Sequence, residues 1–302
     1  MSKKRKVVKL EGKSQWGMIM YRFSKNKLAL VGVAIILVLA VLCLSANLWI
    51  PYEKVYKQTL RHRFLAPFST ATNKDGSTVF YLLGTDELGR DLFSRIIYGG
   101  QISLFAGMVS IGISMLLGVT LGSIAGYSGG KVDMVIMRCC DVLMAVPNML
   151  MSMAIVAALG QGTVKMLIAL SVAQIPRFAR TTRAQILTLR NNEYVEAARC
   201  YGSSNAHIIL KHLLPNGIGP VIVSATLGLG GTILSIASLG FLGIGIASPT
   251  PEWGTILSEN RSNIRYYPYL GYIPGMFICL AVISMNFIGD GLRDALDPRT
   301  KS

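Results

Sequence analysis

Long apolar runs separated by short polar segments set the pattern of this chain. No charged side chain falls between Lys27 and Glu53, and no Lys, Arg, Asp or Glu falls between Lys211 and Glu252. About 20 consecutive apolar residues cross the hydrocarbon core of a bilayer as a helix, and no soluble core needs such stretches. The pattern predicts six spans, at residues 28–50, 101–125, 132–159, 164–178, 217–246 and 269–288. The fourth is short before Pro176 and is expected to continue as a helix beyond the membrane. Pro147 removes a backbone donor, which predicts a kink in the third.

The spans divide the chain into an N-terminal tail (1–27), a first span (28–50), a long loop (51–100), a five-helix core (101–290) and a C-terminal tail (291–302). The first run is too long for a signal peptide and lacks a small-residue cleavage site before Pro51, so it reads as a retained span. Trp49 and Tyr52 stand where interfacial aromatics belong. Near the end of the long loop, Leu92, Phe93, Ile96 and Ile97 alternate with Asp91, Ser94 and Arg95. That pattern predicts a short amphipathic helix lying on the membrane surface. With the N-terminus inside, 20 of the 30 Lys and Arg residues fall on the cytoplasmic side. By the positive-inside rule both termini are cytoplasmic and the 51–100 loop is extracytoplasmic.

Small residues recur every four positions in the second span, at Ser110, Ser114, Gly118, Gly122 and Gly126. Such a ridge lets another helix approach closely. Gly228, Gly231, Gly240, Gly243 and Gly245 loosen the fifth span in the same way. The cytoplasmic loop at 177–215 reads as two short helices. The first, around Glu193–Tyr201, ends at Gly202. The second is capped by Ser203 or Ser204 and stops at Pro215. Together they form a partly apolar knob that needs a protein to bury it.

Composition agrees with a membrane protein: 52% of the 302 residues are hydrophobic and 15% charged. The net charge of +15 and the run Lys3-Lys4-Arg5-Lys6 read as a cytoplasmic flank of a span, not as a nucleic-acid surface. The cysteines show neither metal spacing nor a disulfide framework. Gly126-Tyr127-Ser128-Gly129-Gly130 fits a serine-hydrolase string, but a membrane helix precedes it where a strand is required. Gly12-Lys13-Ser14 ends like a phosphate loop, yet Val7 stands where the pattern needs glycine. Asp133, Arg138, Asp141, Lys165 and Asp290 all sit near span ends, with Arg138 and Asp141 spaced to pair on one helix face. No ion relay is placed inside the spans, so the driving energy is expected to come from another chain.

Glu196-Ala197-Ala198, then Gly202, then His212-Leu213-Leu214-Pro215 resembles the EAA loop of ABC-importer permeases, with His212 where isoleucine is usual. Leu83-Gly84-Thr85-Asp86-Glu87-Leu88-Gly89-Arg90-Asp91-Leu92-Phe93-Ser94-Arg95 is similar to the stretch before the second span in the dipeptide/oligopeptide branch, and the likeness runs on to Asp297-Pro298. The chain looks closest to the C-type subunit of those systems. The resemblance implies an all-α, six-helix type I ABC-importer transmembrane domain with a cytoplasmic coupling-helix loop. It implies a homologous permease partner, two ABC ATPase subunits that hold ATP and Mg2+, and an extracytoplasmic substrate-binding protein. This chain itself would carry no cofactor and no catalytic residue. Glu196, Ala197, Ala198, Gly202 and Pro215 would make the ATPase-coupling loop. Peptides are the expected cargo, with nickel, glutathione or oligosaccharides as alternatives within the branch, and an intramembrane serine protease built on Ser128 as a remote one.

Overall fold

The apolar runs become helices that cross one another as a bundle. The computed structural model describes residues 15–73 and 76–296. Lys3–Lys6, Gly12–Ser14 and Asp297-Pro298 therefore lie outside the described residues. Among those described, ten helices of eight or more residues build the architecture: α1 Gln15–Phe23, α2 Lys27–Leu44, α3 Leu92–Ser128, α4 Gly130–Met144, α5 Asn148–Leu159, α6 Thr163–Leu189, α7 Glu193–Cys200, α8 Gly219–Phe241, α9 Trp253–Asn260 and α10 Tyr269–Leu296. The loop between α2 and α3 adds one antiparallel hairpin, β1 Ser69–Thr72 and β2 Thr78–Tyr81, pairing Ser69 with Tyr81 and Thr72 with Thr78.

Four helices, α2, α3, α8 and α10, are each long and apolar enough to cross a bilayer. The third expected span is not one kinked helix. Its halves α4 and α5 meet at 87°, with Pro147 heading α5, so the proline ends one helix and starts another. The fourth expected span is the first half of α6. Pro176 does not stop that helix, and its cationic second half runs on to Leu189.

The predicted surface helix at Asp91–Tyr98 is instead the start of α3. Asp91 caps that helix, accepting a hydrogen bond from the Ser94 amide at 3.2 Å. Leu92, Arg95, Ile96 and Ile97 are buried in protein, so the polar side of the pattern meets protein partners instead of water. Trp253 of α9 packs there and donates from Nε1 to the Ile96 carbonyl at 2.9 Å.

The most extensive seam joins α3 to α6. Ser114 Oγ donates to the Ser171 carbonyl at 3.0 Å, and Gly118 stands against Phe178 and Ala179. A Cβ on Gly122 would strike the Ala179 carbonyl and lie 2.9 Å from Thr182 Cβ, while one on Gly126 would lie 2.9 Å from Ile186 Cβ. All five small residues are buried. Gly122→Ala is therefore expected to lower stability by about 1–3 kcal/mol through overpacking. Gly112→Ala, on the same helix with nothing within 4 Å of the added carbon, should leave the melting temperature unchanged or raise it. Equal melting temperatures for the two variants would contradict the tight seam.

α10 packs between α2 and α8. Gly32 of α2 meets the Ser284 carbonyl of α10, and Gly219 at the start of α8 faces Leu296 at the end of α10. The starts of α2 and α8 and the ends of α6 and α10 therefore share one end of the bundle. The hairpin loop and α9 occupy the other.

Candidate functional site

Two polar constructions sit at these opposite ends. The first is an elbow between α6 and α8. Glu193 and Glu196 lie in the first turn of α7 and Arg199 in its last turn, a charge order that complements the helix dipole. Beyond the cap residue Tyr201, Gly202 takes φ +75°. The Gly202 amide donates to the Arg199 carbonyl at 2.9 Å and the Ser203 amide to the Ala198 carbonyl at 3.1 Å. This is the paired closure that ends helices through a left-handed glycine. Ser204 Oγ then accepts from the His207 amide at 3.3 Å.

The elbow is not a knob without a seat in its own chain, as the sequence suggests. Val195 and Ile208 are fully buried with Leu213 and Ile186, and Tyr127 and Ala198 pack against them. Tyr127 donates from its hydroxyl to Asn205 Oδ1 at 3.0 Å. Arg190 donates from Nη1 to the Gly126 carbonyl at 3.0 Å. These contacts fasten the elbow to the end of the α3–α6 seam. Glu196, Ala197, Arg199, Tyr201 and Gly202 remain exposed, Tyr201 at 91%. Pro215 does not stop the second helix either. It sits in the first turn of a short helix at Leu214–Gly217, a place where a missing N–H is tolerated. Ser128 is the last residue of α3, without the strand-to-helix turn that a hydrolase serine requires.

The second construction is a buried charge cluster at the hairpin end. Asp86 Oδ1 accepts from the amides of Leu88 at 3.0 Å and Arg90 at 2.9 Å. Arg90 donates from Nε to Asp86 Oδ2 at 2.6 Å and from Nη2 to Glu259 Oε2 at 2.9 Å. Arg95, fully buried, reaches the same Glu259 oxygen at 2.7 Å and stands 3.7 Å from Asp86. Two guanidinium and two carboxylate groups balance. They tie residues 86–95 to α9. Glu252, also buried, caps α9 by accepting from the amides of Gly254 and Thr255 at 2.9 Å each, and from Ser103 Oγ at 3.0 Å. Burial pushes its carboxyl above the ordinary carboxylate range, and those donors pull the other way.

The structure thus gathers Glu196, Ala197, Ala198 and Gly202 on one elbow. It places Pro215 at the foot of that elbow and Ser110 through Gly126 along the seam beneath it. Sequence reasoning missed Glu252 and Glu259. For Glu252 a signal was present, since it is the first charge after a long charge-free stretch; nothing local marks Glu259. It also paired Asp141 with Arg138, which stand 3.9 Å apart with Arg138 largely exposed. Asp141 is held more closely by Arg180 of α6.

A family model described as a binding-protein-dependent transport system inner membrane component matches residues 118–302. A second, the N-terminal transmembrane domain of oligopeptide transport permease C, matches residues 14–67. The dipeptide transport system permease protein DppC of Alkalihalophilus pseudofirmus is 41% identical over 96% of this chain and 91% of its own. The glutathione transport system permease protein GsiD of Pectobacterium atrosepticum is 38% identical over 96% of this chain and 93% of its own. Among solved structures, an inward-facing conformation of the MetNI methionine ABC transporter superposes with a TM-score of 0.56 at 18% identity. It covers 67% of this chain and 97% of that one, a likeness of fold alone.

Proposed function

The chain belongs to the binding-protein-dependent transport permeases, and from that premise we propose that it is the C-type membrane subunit of an ATP-driven importer of di- and oligopeptides. Identity of 41% to a dipeptide permease along 96% of the chain carries this reading. The working complex pairs it with a homologous permease, two ABC ATPases that hold ATP and Mg2+, and an extracytoplasmic binding protein that selects the cargo. The elbow end, with both chain termini, faces the cytoplasm of a prokaryotic cell.

The elbow's build supports a coupling role. Its exposed strip of Glu196, Ala197 and Gly202, flanked by Arg199 and Tyr201, offers charges beside small side chains, a surface that a cleft in an ATPase grips closely. Behind the strip, Val195, Ile208, Tyr127 and Arg190 lock α7 to α3 and α6. Closure of the ATPases on ATP then moves a stiff lever, and the α3–α6 pair turns as one body to switch access to the pathway. At the far end the charge cluster holds α9 and the hairpin loop together, presenting one firm surface to the binding protein.

The 38% identity to glutathione permeases favours one second reading, a tripeptide cargo. Both readings meet the same test. The four-component complex in proteoliposomes should accumulate labelled dipeptide, and accumulation should stop when ATP or the binding protein is withheld. Purified alone, the chain should neither hydrolyse ATP nor concentrate solute. Accumulation by the chain alone, or labelling of a cysteine at position 196 from outside sealed cells, would sink the proposal.

A further inference from the structure

One cation on α6 has no carboxylate of its own among the described residues. Along α6, Arg183 forks onto Asp133 at 2.5 and 2.6 Å, and Arg180 binds Asp141. Arg177, one step further in on the same helix, has no carboxylate within ion-pair distance among the described residues. It stands at the end of the fourth expected span, roughly 21 Å along α6 from Thr163 at 1.5 Å per residue, where the helix passes from its apolar first half to its cationic second half. An ionised side chain at the edge of the hydrocarbon turns to water, a polar cavity or a counter-charge.

The cavity is there. Asn148 and Ser152 of α5, Gln174 and Arg177 of α6, and Gly228 and Ser235 of α8 line a cleft of about 180 Å³. The side chains are arranged, not merely adjacent. Gln174 donates from Nε2 to Thr232 Oγ1 at 2.6 Å, and Thr232 Oγ1 donates to the Gly228 carbonyl at 2.8 Å. That orients the Gln174 amide so that its oxygen and Arg177 Nη1 both come to 3.6 Å from where a Cβ on Gly228 would stand. The missing side chain at 228 leaves room beside the guanidinium. The break between α4 and α5 at Pro147 is what brings Asn148 to the cleft.

We propose that this cleft is a passage subsite for the C-terminal carboxylate of the transported peptide, with Arg177 as its anchor and the bare face of α8 at Gly228 giving the peptide room. The proposal rests on the peptide reading above. A guanidinium presents a planar fork that matches a carboxylate and binds it through two parallel hydrogen bonds. The amide groups of Asn148 and Gln174 suit the flanking peptide bond. A single unpaired cation holds an anion in transit without trapping it, which a passage requires.

The test uses the complex of both permeases with the ATPases, nucleotide-free and without the binding protein. Equilibrium binding of a tritiated dipeptide is competed by the unlabelled dipeptide or by its C-terminal amide. Wild-type complex should prefer the free carboxylate about tenfold. Arg177→Met should remove that preference, and Arg177→Lys should keep part of it. Equal competition by acid and amide in the wild type, or an unchanged preference in Arg177→Met, would overturn the subsite. So would loss of the homologous permease from the Arg177→Met complex on purification, because Arg177 would then answer an acidic residue of that subunit. Competition by an anionic phospholipid headgroup equal to that by dipeptide would assign the cleft to lipid and overturn it as well. Wild-type uptake in proteoliposomes separates the two levels: no peptide uptake ends the functional reading and this subsite with it, whereas uptake without carboxylate preference ends the subsite alone.

Discussion

Arg95→Met is expected to lower the stability of the protein by about 3 kcal/mol, the cost of leaving a buried ion network with one charge too many. Arg95 is fully buried and shares the Glu259 carboxylate with Arg90. Without it, Asp86 and Glu259 face one guanidinium between them, with Asp86 fully buried and Glu259 mostly so. The cluster itself need not be a net source of stability, since Arg95 Nε and Nη1 find no hydrogen-bond partner among the described atoms. It is the mismatch that costs. Removing both members therefore separates the two effects: in Arg95→Met with Glu259→Met, Asp86 and Arg90 remain as a balanced pair. The double variant should be more stable than Arg95→Met alone, a non-additivity that a double-mutant cycle measures directly. Thermal melting of the detergent-purified protein, followed by tryptophan fluorescence, reads the difference, because Trp253 donates to the carbonyl of Ile96, next to Arg95 in the chain. Melting of Arg95→Met at the wild-type temperature would show that the cluster is ornamental.

How much of this was legible in the chain depends on the range of the interaction. The ridge from Ser110 to Gly126 is a property of one helix, so its period of four shows without a structure, though not that α6 is what it meets. Gly202 is similarly local: a glycine after a helical run announces a left-handed close. The start of α3 misleads because a period alone does not say what covers the polar face. Arg95 and Asp91 look made for a wet membrane surface until Glu259, far along the sequence, supplies the counter-charge. Pro147 and Pro176 are both prolines within apolar runs, yet one ends a helix and the other does not. The helix through Pro176 is held along its length by α3, whereas α4 and α5 turn apart. The elbow's apolar residues look unpartnered for a related reason, since their seat is made by Ile186 and Tyr127 at the ends of two other helices.

Gly202→Val should cut uptake at least tenfold while leaving the membrane bundle folded, and the reason lies in the backbone alone. A Cβ at 202 meets nothing within 4 Å, so no clash within the chain opposes a side chain there. The φ of +75° does: a residue other than glycine in the left-handed region costs roughly 1–2 kcal/mol, and a β-branched one is strained further. The last turn of α7 would unwind or swing to relieve it, carrying Ala197 off the strip that a partner grips and Ala198 off its seat. Asparagine tolerates this conformation better than alanine or valine. If conformation is what matters, activity should fall in the order Gly, Asn, Ala, Val; if side-chain bulk in a docked cleft matters, Asn and Val should fail alike. Glu196→Lys probes the same surface by charge. Its position in the first turn of α7 is worth only about 0.3–1 kcal/mol of helix-dipole energy, too little to unfold the elbow. A loss of uptake with ATP hydrolysis persisting would then report a broken contact with the ATPase. Proteoliposome uptake and ATP hydrolysis measured together decide it: wild-type uptake in both Gly202→Val and Glu196→Lys removes the elbow from the coupling path.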